Sequence, residues 1–140
     1  MSTALPNSLE FRPPTHEAKS LFECLPEICY QHGYALRRLT ESSASFSVAK
    51  NVFRLHPHTI IADTAFRFER HTPEALGGLV AKRNASLRAM GWMHQGHLAL
   101  IVPLIRKEID RNWLDATITA MVVEITQFSR KLRANGIWEF

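Results

Sequence analysis

A single α+β domain, a small twisted antiparallel sheet packed with helices in the order α-β-β-β-α-β-β-α, is what this sequence predicts. Two features point there. Stretches whose apolar residues recur every three or four positions are interleaved, in unequal runs, with stretches whose apolar residues recur every second position. The chain has 140 residues, enough for one core with a sheet layer and a helix layer and too few for two domains of ordinary size. The domain is expected over residues 15–134, between an N-terminal arm, 1–14, and a short C-terminal tail, 135–140.

The arm carries three prolines and no periodicity, which suits a strap on the domain surface. From Thr15, a possible N-cap, the residues Ala18, Leu21, Phe22, Leu25, Ile28 and Cys29 follow helical spacing as far as a stop at Gly33. Pro26 lies inside that pattern and is expected to kink or split the helix.

Strand chemistry runs from Tyr34 to Glu69. "ALRRL" and "SASFSVAK" alternate weakly, "VFRLH" and "TIIADTAFRFE" more clearly. Between the clear ones stands "RLHPHTII". Proline has no N–H to give a ladder, so a turn at Pro57-His58 is preferred to a strand running through it. That turn pairs His56 with Thr59, Leu55 with Ile60 and Phe53 with Ala62. It also sets Phe53, Leu55, Ile60, Ala62, Phe66 and Phe68 on one face, and such a match is what fixes register. Pro-His is nevertheless not a favoured pair for a two-residue hairpin. Asp63 falls on the outward side, where it needs no special role.

"HTPEALGGLVAKRNASLRAMG" reads as a second helix capped by Thr72, with Pro73 first, Glu74 in the opening turn and Gly91 as its end. Leu76, Leu79, Val80, Leu87 and Met90 form its stripe, and Gly77-Gly78 suggests a close approach to another element. "WMHQGHLALIVPLI" reads as a short strand, a turn at Gln95-Gly96 and a longer strand apolar on both faces, which implies cover on both sides. Pro103 marks an edge or an exit bend. Asn112 and Asp115 are the expected caps of a last helix carrying Leu114, Ile118, Met121, Val122, Ile125, Phe128 and Leu132, closed by Asn135-Gly136.

With 46% hydrophobic and 21% charged residues the composition is that of an ordinary globular protein. The formal charge of +4 comes from scattered basic pairs, short of a nucleic-acid footprint. No signal peptide is evident, and the longest apolar run, "LALIVPLI", is under half a membrane span. Cys24 and Cys29 lie five apart in one helix, too poorly oriented for a disulfide, and read as packing residues in a reducing cytoplasm. A cytoplasmic location without membrane contact is the expectation.

One constellation invites a metal: His56 and His58 in "HPH" with His94 and His97 in "HQGH", should both turns lie at one end of the sheet. Four imidazoles can hold zinc, yet neither the cysteines usual in structural sites nor an HExxH is present. No nucleophile elbow, P-loop, dinucleotide fingerprint or acid-base carboxylate pair occurs either, so no enzyme activity, metal or cofactor is expected. What remains is apolar surface. If helices cover one side of the sheet only, Ile61, Ala65, Met93 and one side of "LALIVPLI", taken as Leu98 and Leu100, need another cover. That cover is either the arm or the last helix, or else a dimer mate or an extended protein client.

The order of elements resembles the type III secretion chaperone-like superfamily, which includes the YbjN-type domains. The likeness is firmest from "TPEALGGLVAKRNASL" through the "HQGH" turn and "LALIVPLI" to the capped final helix. It implies a non-enzymatic protein that forms a homodimer and binds or regulates another protein. Secretion chaperones are typically acidic, whereas this chain has a pI near 9.4. A second possibility is a basic nucleic-acid-associated protein offering Arg54 and Arg67 to phosphates, with salt-sensitive binding. The third is a small metal protein using the four histidines.

Overall fold

The computed structural model describes residues 14–67, 73–94, 96–104 and 110–137. Three helices and one six-stranded antiparallel sheet follow in the order α1 (Pro14–His32), β1 (Ala35–Leu39), β2 (Ala44–Val48), β3 (Asn51–His56), β4 (Thr59–Arg67), α2 (Pro73–Asn84), β5 (Gly91–His94), β6 (His97–Pro103) and α3 (Arg111–Ala134). This is the expected α+β domain with one strand more, because both weak segments pair. Across the sheet the strands run β1-β2-β3-β4-β6-β5. The β3–β4 hairpin turns at Pro57-His58 with the register the alternation predicts, His56 opposite Thr59, Leu55 opposite Ile60 and Phe53 opposite Ala62.

One continuous core holds the layers together. Phe22, Leu25, Ile28 and Cys29 of α1, Leu76 and Val80 of α2, and the stripe from Leu114 to Leu132 of α3 all meet the same side of the sheet, where Phe46, Phe53, Leu55, Ile60, Ala62, Phe66, Leu98, Leu100 and Val102 are buried. The period of two does the sorting: alternate residues of β3, β4 and β6 enter this cluster and those between them do not. Phe68, read as part of the same face, lies outside the described residues.

Both long helices end alike. Gly33, at φ 74°, follows α1, with the Tyr34 N–H donating to the Cys29 carbonyl at 2.9 Å and the Gly33 N–H to Tyr30 at 3.4 Å. Gly136, at φ 79°, follows α3 with the same pair of bonds, Ile137 to Leu132 and Gly136 to Arg133. These are Schellman ends, which need the left-handed conformation that glycine adopts without strain. Ile137, assigned to the tail, completes the second motif and is buried in the core.

Four local expectations are corrected. Pro26 is exposed and does not split α1, which runs on to His32. The second helix stops at Asn84 instead of Gly91, because the Asn84 side chain turns to β5, accepting from the Trp92 N–H at 2.7 Å and donating to its carbonyl at 3.0 Å. Leu87 and Met90 still pack on the core, but from an irregular segment. The cap of α3 is Asp110, whose carboxylate accepts from the Trp113 N–H at 2.8 Å, while Asp115 lies 2.7 Å from His32 Nε2. Gly78 makes no close approach, since a Cβ there would meet nothing within 4 Å, and one at Gly77 would only touch the His94 ring at 4.0 Å.

Between Asp63 and Arg67 the register of β4 against β6 shifts. Thr64, 3% exposed, repairs the interruption: its hydroxyl donates to the Leu98 carbonyl at 2.7 Å and accepts from the Phe66 N–H at 3.3 Å.

Candidate functional site

The strand registers let the outward side chains be followed across the sheet. One row reads Arg38, Ser45, Arg54, Ile61, Ile101, Gly91; the next reads Ala35, Ser47, Val52, Asp63, Ala99, Met93. The β1–β3 half of this face is therefore basic and rich in hydroxyls, and the β4–β6–β5 half largely apolar. Arg37 adds to the first half, its Nε–H donating to Ser47 Oγ. No residue of these two rows belongs to the core cluster, and every described helix buries its apolar side on the opposite face. Met93, on the edge strand β5, is 44% exposed, and Val52, on the interior strand β3, is 37% exposed.

Where the halves meet, three strands contribute one polar cluster. Asp63 of β4 accepts from Arg54 Nε at 2.7 Å and Nη2 at 3.4 Å, and its other contact is His97 Nε2 of β6 at 2.7 Å. Arg54 and His97 are both diagonal neighbours of Asp63 in their ladders, within reach of long side chains. Partial burial alone would raise the Asp63 pKa, but the hydrogen bonds and charges of Arg54 and His97 outweigh it and hold the carboxyl below its usual value.

The pH consequence follows from that sign. A carboxyl depressed in the folded state contributes its stability above the unfolded value, about pH 4, and loses it as the pH falls further through the lowered value. Urea midpoints measured from pH 6 downward should therefore fall for the wild type below about pH 4, and Asp63→Asn should flatten that acid limb. Parallel curves for the two proteins would show that Asp63 is not held by its neighbours.

Around this cluster lies a shallow depression of about 170 Å³, lined by Arg54, Ile61, Asp63, Met93, His97, Ala99 and Ile101. It is smaller than the roughly 300 Å³ at which small-molecule sites begin. An Asp–His pair can serve a nucleophile, yet no serine, threonine or cysteine stands among those residues. Burial pushes the Cys29 thiol up to about 11, the opposite of what a reactive thiol needs.

Of the residues anticipated as a binding surface, Ile61 and Met93 lie on this open face. Leu98 and Leu100 do not: they are 1% and 0% exposed in the core, and Ala99 and Ile101 take the outward positions. Ala65 has also left the face. Past the register shift it lines a cleft with Ile125 and Ser129 of α3. The histidines do not converge. In β4, Thr59 pairs with Pro103 and Arg67 with His97, so the "HPH" and "HQGH" turns sit at opposite ends of a strand roughly 25 Å long. Among the described residues no group of three or more metal-ligating side chains occurs. Also among them, no helix is long and apolar enough to cross a membrane.

The two edges of the sheet differ. At β5 the Asn84 amide occupies both outward backbone groups of Trp92. At β1 all five residues are exposed, and the devices that guard the edge are a register shift and the adjacent Arg37 and Arg38. In the sequence Arg37-Arg38 is one of several exposed basic pairs, and because β1 shows no alternation nothing local places it on this face. The signal available was in β2, where Ser45 and Ser47 alternate with the buried Ala44 and Phe46.

Compared with family models, with curated proteins and with solved structures, the chain finds no match.

Proposed function

We propose that this is a non-enzymatic protein-binding domain of the secretion-chaperone-like, YbjN-type kind, and that its partner sits on the open face of the sheet. The observation that carries the reading is the one-sided cover: six strands with all described helices on one face, and on the other Ile61, Ile101 and Met93 on the apolar half next to Arg37 and Arg38 on the basic half. Apolar anchors next to cations ask for a partner segment carrying acidic and apolar residues together.

Two copies stacked face to face suit this surface less well. A two-fold axis in the interface lays the arginine half either on its own twin or on the apolar half, and neither is complementary. The dimer implied by the family resemblance would then use a different surface. Phosphate recognition by the same face is disfavoured at its centre, where the Arg54 charge is already matched by Asp63.

The test is selection of binding segments from a random peptide library, followed by chemical-shift mapping of one selected segment on the protein. Expected sequences combine Asp or Glu with Leu, Ile or Phe, shift resonances of β3, β4 and β6, and bind Met93→Asp at least about tenfold more weakly, the effect of losing one buried anchor. Selection of basic sequences, or shifts confined to the helices, would end this reading. Light scattering of the same sample reads the oligomeric state.

A further inference from the structure

A second cleft, of about 290 Å³, lies between the β2–β3 turn and the C-terminal half of α3, away from the open face of the sheet. Lys50 and Asn51 enter it from the turn, and Ser129, Arg130 and Arg133 from the helix. Arg133 stands four residues after Ser129 and three after Arg130, so it neighbours each of them on the surface of α3. No carboxylate is found among the described residues that line it.

Ser129 is the informative residue. It is 8% exposed, and among the described residues its hydroxyl has no hydrogen-bond partner. Thr126, three residues earlier on the same helix and exposed, does give its hydroxyl to the Val122 carbonyl at 2.9 Å. A buried hydroxyl without a partner is costly, so a group that the described residues do not supply is called for. Among the described residues Lys50 and Arg130 have no hydrogen-bond or ion-pair partner either. Ala49, which precedes Lys50 at the cleft, holds a left-handed φ of 56° unusual for a residue with a Cβ.

We propose that this cleft binds a phosphate monoester group, with Lys50 and Arg130 matching its charge and the Ser129 hydroxyl donating to one of its oxygens. A dianion with three terminal oxygens uses several cations and a neutral donor at once, which a single carboxylate does not. The cleft volume suits a head group, with the rest of the ligand outside it. None of these residues belongs to the open face, so this proposal and the protein-binding reading stand or fall separately.

The experiment is calorimetric titration and thermal melting of the full chain with inorganic phosphate, against chloride at equal ionic strength. Phosphate is expected to bind and to raise the melting temperature beyond the chloride control. Ser129→Ala should weaken phosphate binding at least fivefold while leaving the unliganded protein no less stable, because it removes an unpaired hydroxyl. Lys50→Ala, at an exposed turn, should weaken it at least tenfold. Repeating the titration with glycerol 3-phosphate and with a phosphoserine peptide identifies the carrier by whichever binds more tightly. Phosphate that stabilises no more than chloride, or that binds both variants like the wild type, overturns the proposal.

Discussion

Glu124→Ala is expected to destabilise the protein by about 3–5 kcal/mol, the range for removing one partner of a buried ion pair. Glu124 lies in the middle of α3 and is 5% exposed. Its two oxygens accept from Arg83 of α2, Nε at 2.7 Å and Nη2 at 2.6 Å, a bidentate pair, and Oε2 also accepts from the Trp92 indole N–H of β5 at 2.8 Å. Arg83 further donates to Gln127 at 3.2 Å and lies 5.8 Å from the centre of the Phe128 ring. One carboxylate thus ties two helices to an edge strand. Without it, a guanidinium with 21% of its side chain exposed loses its charge partner and keeps Gln127, and the indole N–H of a residue 5% exposed loses its acceptor. Glu124→Gln keeps the shape and an acceptor for Trp92, so its cost should be smaller, about 1–2 kcal/mol. Urea unfolding of the two variants checks this. A loss below about 1 kcal/mol for Glu124→Ala would mean that Arg83 escapes to solvent and the tie is dispensable.

How much of this was legible in the sequence depends on whether a feature is local. The β3–β4 register was readable because two alternations and the proline between them agree, and the disfavoured Pro57-His58 turn is accepted because the apolar faces match on either side of it. Its free carbonyl is also used, the Leu104 N–H donating to His58 at 2.8 Å. The end of α2 was not readable. Leu87 and Met90 continue the helical spacing, and only the tertiary bonds of Asn84 to Trp92 show why the helix stops first. In "LALIVPLI" both sides are apolar, so alternation alone cannot say which faces the helices. The pairing of Ile61 with Ile101 decides it, and that contact spans 40 residues. Non-local pairing likewise sends the two histidine turns to opposite ends of the sheet. Asp63 was placed correctly on the outer side, but its role stayed hidden because one of its partners, His97, arrives from β6.

Phe53→Ala, the second large effect, should cost about 3–5 kcal/mol, as for other buried phenylalanines. Phe53 is fully buried in β3. Its ring stacks on Phe46 at 5.0 Å, Phe46 on Tyr34 at 5.8 Å and Tyr34 on His32 at 5.1 Å, so a line of rings runs from the end of α1 across β2 into the sheet. Each such pair adds about 0.5–1.5 kcal/mol to the area buried. His32 at the far end meets Asp115 of α3, and loosening the line therefore reaches the contact between the two long helices. The informative comparison is Val52→Ala, one residue away on the opposite side of the same strand and 37% exposed. It should cost no more than about 0.5–1 kcal/mol, because an exposed position leaves no cavity. Chemical denaturation of both variants measures the difference between the two faces directly. A large gap means a sheet buried on one side and open on the other, the asymmetry on which the protein-binding reading depends. Equal losses would mean that something covers Val52 as well, and the surface proposed for a partner would already be occupied by the chain itself.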